Sequence, residues 1–196
     1  SGLVNLLGTH KDLAESLNDK AILGMFYAWY GYSIYAREKY KDSYKYLRMA
    51  LQIGVEIKDQ IIIGHACAWL SWVCSELAAM DEAISYGERA QKICKNNPTE
   101  HYLYFKSLGG IAYAYANKGN SKKALELGTS ILDYGQIHSN IRSMAAGHLL
   151  KGIGFLIAGD FPSAIEACKK AVQTAKDPFY SQIGKSILGM AYFTNA

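Results

Sequence analysis

The chain has 196 residues, a formal net charge of +4 and an apolar content of 50%, which excludes an intrinsically disordered chain. The uncharged stretch at residues 61–75 is too short to span a bilayer. A pI near 8.7, without lysines and arginines focused on one face, makes no nucleic-acid footprint.

In chain order, residues 3–17 have the phase of the tail of a helix. Paired amphipathic segments follow at 22–37 with 41–57, 61–78 with 81–95, 101–117 with 121–136, and 142–158 with 161–175. Each second segment carries apolar residues on one face, such as Met80, Ala83, Ile84, Gly87, Ala90 and Ile93. Charged residues such as Asp81, Glu82, Glu88, Arg89 and Lys92 occupy the other faces. Residues 182–196 begin one more first helix. Strand signals are confined to Ile61-Ile62-Ile63, which sits in phase with a helix start.

The pairs repeat. Four hexads, Glu38–Ser43, Ala78–Ala83, Gly119–Ala124 and Gly159–Ala164, end at spacings of 40, 41 and 40 residues. Twelve residues before each hexad's end stand Gly31, Ser71, Ala112 and Gly152. Four after it stand Leu47, Gly87, Gly128 and Cys168, and seven after it Ala50, Ala90, Ile131 and Ala171. Small residues at fixed phase are what two helices need to cross closely. Gly119-Asn120 and Gly159-Asp160 read as stop-and-start signals, with glycine ending one helix and Asn or Asp capping the next. Asn97-Pro98 and Asp177-Pro178 are 80 residues apart, two periods. The expected organisation is an all-α array of antiparallel helix-turn-helix units. It has a partial repeat at 1–20, repeats at about 21–60, 61–100, 101–141 and 142–181, and a partial repeat at 182–196. An array that begins and ends inside repeats is expected to be part of a longer one.

Gly152, Phe155, Gly159, Asp160, Phe161, Ala164 and Ala171 in the fourth unit resemble the signature positions of the tetratricopeptide repeat (TPR). The resemblance spans the chain, with departures: Ala78 stands where glycine is expected and Ser43 where alanine is. The period of about 40 exceeds the family's 34. The resemblance implies a right-handed α-solenoid whose first (A) helices line a concave groove. Longer units of this kind occur in sensor domains of signalling ATPases, transcription regulators and cyclase-linked arrays, and in cytoskeletal scaffolds.

Groove positions carried over from the family put Tyr32, Trp72, Tyr113 and Ile153 in one ladder, with Tyr35 one turn further on and His65, Glu76, Lys106 and Asn117 as the polar members. These residues are the candidate partner-binding set. Aromatic anchors give contact area at low entropic cost, and the polar groups set register. The Lys, Asn and Arg cluster with which some members hold a C-terminal carboxylate is missing.

Catalytic chemistry finds no constellation. Cys67, Cys74, Cys94 and Cys168 form no C-x-x-C pair and read as reduced thiols of a cytoplasmic protein. His65, Cys67 and Cys74 lack the paired spacing of a zinc site. His101, His138 and His148 are expected near helix starts. Lys122-Lys123 and Lys169-Lys170 fit a solvated outer face. The expectation is a non-enzymatic interaction scaffold without cofactor or metal, engaging neither nucleic acid nor membrane, whose partner is an apolar or amphipathic protein segment. The alternative is a regulatory sensing domain holding a small molecule against Tyr32, Trp72 and Tyr113.

Overall fold

The computed structural model describes residues 2–97, 100–176 and 178–195, with the side chain of residue 195 set aside. Every regular element among them is a helix: α1 (Gly2–Thr9), α2 (Lys11–Ser16), α3 (Lys20–Tyr35), α4 (Tyr40–Glu56), α5 (Gln60–Glu76), α6 (Met80–Asn96), α7 (His101–Asn117), α8 (Ser121–Ile137), α9 (Ile141–Ala158), α10 (Phe161–Thr174) and α11 (Pro178–Asn195). The fold class is all-α, built of helix-turn-helix repeats. The eight helices of the four expected pairs lie within three residues of their expected bounds.

Two differences stand at the ends. Residues 3–17 form two short helices, broken at His10, whose ring nitrogen Nδ1 pairs with Leu6 O at 2.8 Å. The last helix begins at Pro178, four residues before its expected start. Pro98 and Asp177, half of each two-period Asx-Pro signal, lie outside the described residues.

The chain divides into two compact units, residues 1–110 and 111–196, with the boundary inside α7. Within the first, α3 packs on α4, α4 on α5, α5 on α6, and α3 also on α5. Within the second, α8 packs on α9, α9 on α10, α10 on α11, and α9 also on α11. In these runs each helix meets its sequence neighbour, and the first helices of adjoining repeats, α3 with α5 and α9 with α11, also touch.

The repeat frame is the buried seam of these pairs. Ser43, Ala83, Ala124 and Ala164 are fully buried, and so are Ala50, Ala90, Ile131 and Ala171. Gly31 and Gly152 take their places at α3–α4 and α9–α10 crossings. A Cβ at Gly31 would meet Leu47 Cγ at 2.7 Å, and one at Gly152 would collide with Cys168 Sγ. Ser43 fits the alanine position because its hydroxyl, buried from water, donates to Gly31 O at 2.7 Å. An unpaired hydroxyl there would cost about 1–3 kcal/mol.

The turns have a common geometry. The first residue of each hexad is left-handed: Glu38 (φ 60°), Ala78 (62°), Gly119 (76°) and Gly159 (77°). The amide of the next residue reaches back to close the helix, as Ala79 N does to Cys74 O at 2.8 Å and Asp160 N to Phe155 O at 3.0 Å. This is a Schellman closure, which satisfies the carbonyls orphaned at a helix end. Asn18, Lys58 and Ser139 adopt the same left-handed conformation at turns from a second helix to the next first helix. Asp19, Asp59, Asn120, Asn140 and Asp160 then cap the following helices with a side-chain oxygen.

Candidate functional site

The first unit carries a continuous aromatic cluster on α3, α5 and the first half of α7. The 40-residue frame places Trp29 and Trp69 at one phase of successive A helices, and Tyr32 and Trp72 at another. Tyr32 stacks on Trp69 with ring centroids 4.2 Å apart and planes at 27°. Trp29 meets Tyr32 edge-on at 6.0 Å and lies 5.7 Å from Tyr102. His65 fits between them, 5.8 Å from each of Trp29 and Tyr102. Tyr35 packs on Trp69 at 5.7 Å and on Tyr40 at 5.6 Å.

Depth varies across this cluster. Trp69 is 1% exposed. Trp72 is also buried, and its indole Nε1–H donates to Lys106 O at 2.9 Å. Trp29, Tyr32 and Tyr102 are half-buried, so each ring is part packing and part surface. Aromatic pairs at these separations contribute about 0.5–1.5 kcal/mol beyond their area.

Two charged groups enter the cluster. The Glu76 carboxylate, half-buried at the end of α5, accepts from Tyr35 Oη at 3.3 Å. Lys106 is only 4% exposed. Its ammonium lies 4.5 Å from the Trp69 ring centroid and between 5.5 and 5.8 Å from those of Phe105, Tyr102 and Trp72. Ring faces are the negative pole of the aromatic quadrupole, and a desolvated cation over one gains about 2 kcal/mol. That attraction helps a buried lysine persist among apolar side chains.

Burial holds the His65 imidazole below its ordinary value, against the Glu100 and Asp59 carboxylates, which raise it. His65 is therefore neutral at pH 7. The thiols move the other way. Burial pushes Cys67 up to about 11, Cys74 to about 12 and Cys168 to about 11, and raises Cys94 as well. A thiol held protonated at neutral pH is a poor nucleophile and a poor metal ligand. Among the described residues, no three His, Cys, Asp or Glu side chains gather for a metal ion. No described helix is long and apolar enough to cross a membrane.

Of the candidate set, Tyr32, Tyr35, His65, Trp72, Glu76 and Lys106 come together in this cluster. Tyr113, Asn117 and Ile153 belong to the second unit: Tyr113 and Ile153 are half-buried, and Asn117 is exposed as the last residue of α7. Sequence reasoning passed over Trp29, Trp69, Tyr102 and Phe105 as groove residues. A strict i−3 step from Tyr32 and Trp72 lands on Trp29 and Trp69, and that step was the available signal. Two histidines also lie elsewhere than expected. His138 closes the C-terminus of α8, its ring 4.3 Å from that of Tyr134. His148 lies in the middle of α9, its pKa lowered by burial and then by Lys170 and Lys151.

The backbone is similar to that of BtubC (BKLC) from P. vanneervenii, with a TM-score of 0.70 and 16% identity over 98% of this chain and 83% of that one. It is also similar to the apo form of RapI, with a TM-score of 0.64 and 17% identity over all of this chain and 55% of that one. At such identities the likeness is one of fold. No family model matches the chain, and no curated protein matches it in sequence.

Proposed function

We propose that the chain is a TPR-like interaction module that receives an apolar or amphipathic segment of a protein partner against the aromatic face of its first unit. The observation that carries this reading is the half-buried trio Trp29, Tyr32 and Tyr102, in which Trp29 packs on both other rings and Tyr32 stacks on the fully packed Trp69. Rings fixed before binding lose little entropy on contact, which is how aromatic anchors come to dominate interfaces. Glu76, half-buried at the end of α5, supplies a carboxylate that sets the direction of a bound segment, while Lys106, enclosed among the rings, supports the aromatic face from within. The deeply buried Trp72 is a supporting residue in this scheme. The role is a binding one without chemistry of its own, in keeping with thiols that burial holds protonated.

The test is selection of peptides from a displayed library against the folded chain, followed by titration read through tryptophan fluorescence. Selected peptides are expected to carry aromatic or aliphatic anchors. They should bind the Trp29→Ala and Tyr32→Ala variants at least about tenfold more weakly, the loss of about 1.4 kcal/mol that truncating an anchor brings. Lys169→Ala, in the exposed face of α10, should leave binding unchanged. Peptides that bind all three variants equally would overturn the assignment.

A further inference from the structure

A cavity apart from the aromatic cluster opens where α1 meets α3 and the start of α4. Its volume is about 470 Å³, within the 300–1,000 Å³ usual for small-molecule sites. Tyr30 and Tyr46 form one wall, their rings edge-to-face with centroids 4.7 Å apart. Arg37, Lys39 and Lys45 line the cavity, and Asp42 is the one carboxylate among its lining residues. The turn between α3 and α4 brings these cations together, because Arg37 and Lys39 flank left-handed Glu38 while Lys45 follows one helical turn into α4.

The geometry points to a binding site for a small phosphate ester that carries a planar ring, of about the size of a mononucleotide. Three cations against one carboxylate leave a surplus of two positive charges. A phosphate monoester carries about −1.5 to −2 at neutral pH and offers three acceptor oxygens. Arg37 supplies a planar fork of donors that fits such oxygens, and the lysines supply point charges. The paired tyrosines offer a ring on which a base or aryl group stacks. The cations line a cavity of small-molecule size instead of a stripe along a helix, which distinguishes this site from one for an acidic peptide. Arg37, Lys39, Asp42 and Lys45 are exposed, so their side chains can be changed without opening a hole in the core.

The experiment is calorimetric titration of the chain at about 0.15 M salt, where long-range surface charge is screened, using adenosine monophosphate, adenosine and inorganic phosphate as separate probes. The ester should bind at least about tenfold more tightly than either half. Arg37→Gln combined with Lys45→Gln should weaken it by at least about tenfold, the scale of lost charge-assisted hydrogen bonds. Tyr46→Ala should weaken the ester but not inorganic phosphate. Thermal melts of each variant verify that the fold is intact. An ester that binds no better than phosphate, or as well to the doubly substituted chain, would overturn the proposal. So would an equal loss in Lys122→Gln/Lys123→Gln, which changes cations outside the cavity.

Discussion

Residues 1–110 and 111–196 follow one repeat frame, yet they fill their helix crossings with different material. All three tryptophans of the chain lie in the first unit, where rings occupy the space beside the seam. Gly109 and Gly110 there make room for side chains: an added Cβ would meet the Trp72 ring at 2.7 Å in one case and the Ser71 side chain in the other. In the second unit two glycines, Gly135 and Gly147, bring the backbones of α8 and α9 together. A Cβ at Gly147 would lie 2.7 Å from Leu132 N and 2.8 Å from its Cα, and one at Gly135 would lie 2.7 Å from Met144 N. A side chain can swing aside, whereas a helix backbone moves only if the whole element moves. The first unit is thus held by large side chains and the second by close approach of α8 and α9.

The largest expected effect probes the first half of this contrast. Trp69→Ala removes a ring that is 1% exposed and touches Tyr32, Tyr35 and Lys106. It should cost about 3–5 kcal/mol in urea melts, and a loss below about 1 kcal/mol would break the comparison. Gly147→Ala probes the second half and should cost about 1–3 kcal/mol through overpacking. Its control is Gly189→Ala in α11, where an added Cβ meets nothing within 4 Å. That change should stabilise by up to about 1 kcal/mol, the helix-propensity gain. If both substitutions moved stability in the same direction, glycine in the second unit would be a matter of propensity alone.

A smaller effect lies in the turns. Ala78 holds a left-handed conformation at φ 62°, which costs a residue with a Cβ roughly 1–2 kcal/mol. Ala78→Gly relieves that strain but frees the unfolded chain, so a net gain of about 0.5–1 kcal/mol is expected from chemical melts. The same change at Ala79, the adjoining N-cap position with φ −99°, should bring no such gain.

The most gradual effect is on pH. The pKa of His65 is lower in the folded chain than its ordinary 6.5, chiefly through burial. The unfolded chain therefore binds the proton more readily. The stability tied to neutral His65 is complete above about pH 6.5 and is lost as pH falls through the folded value. Melting temperature should decline from pH 7 toward pH 5, and His65→Gln should flatten that decline. His148 has the same sign in the second unit, so His148→Gln measures how the two units share the effect. An unchanged slope in both variants would remove histidine burial as its cause.

Much of the fold could be read from residue spacing. The interval of 40 between Ser43 and Ala83 reports a seam that must be small wherever two helices cross, and burial of every member of that set follows from the same requirement. The turns at Gly119 and Gly159 were legible because glycine tolerates positive φ. Those at Lys58 and Ser139 were not, since their residues give no such sign and helix closure imposes the conformation on them. The candidate site was legible in part. Tyr32 and Tyr35 announce themselves as aromatics on a first helix, but their use of Trp69 as a floor depends on the angle at which α3 meets α5.

Periodicity and residue size, which are local properties, determined the helices, their pairing and the buried seam of this protein. Only the tertiary structure decided how deep each ring sits. It buried Trp72 beneath the Lys106 carbonyl, left Trp29 and Tyr102 at the surface, enclosed an ammonium among four rings and gathered three cations around one cavity. The ring outcomes depend on contacts between residues 34 to 73 positions apart in the chain, set by helix crossing rather than by any residue's own preference.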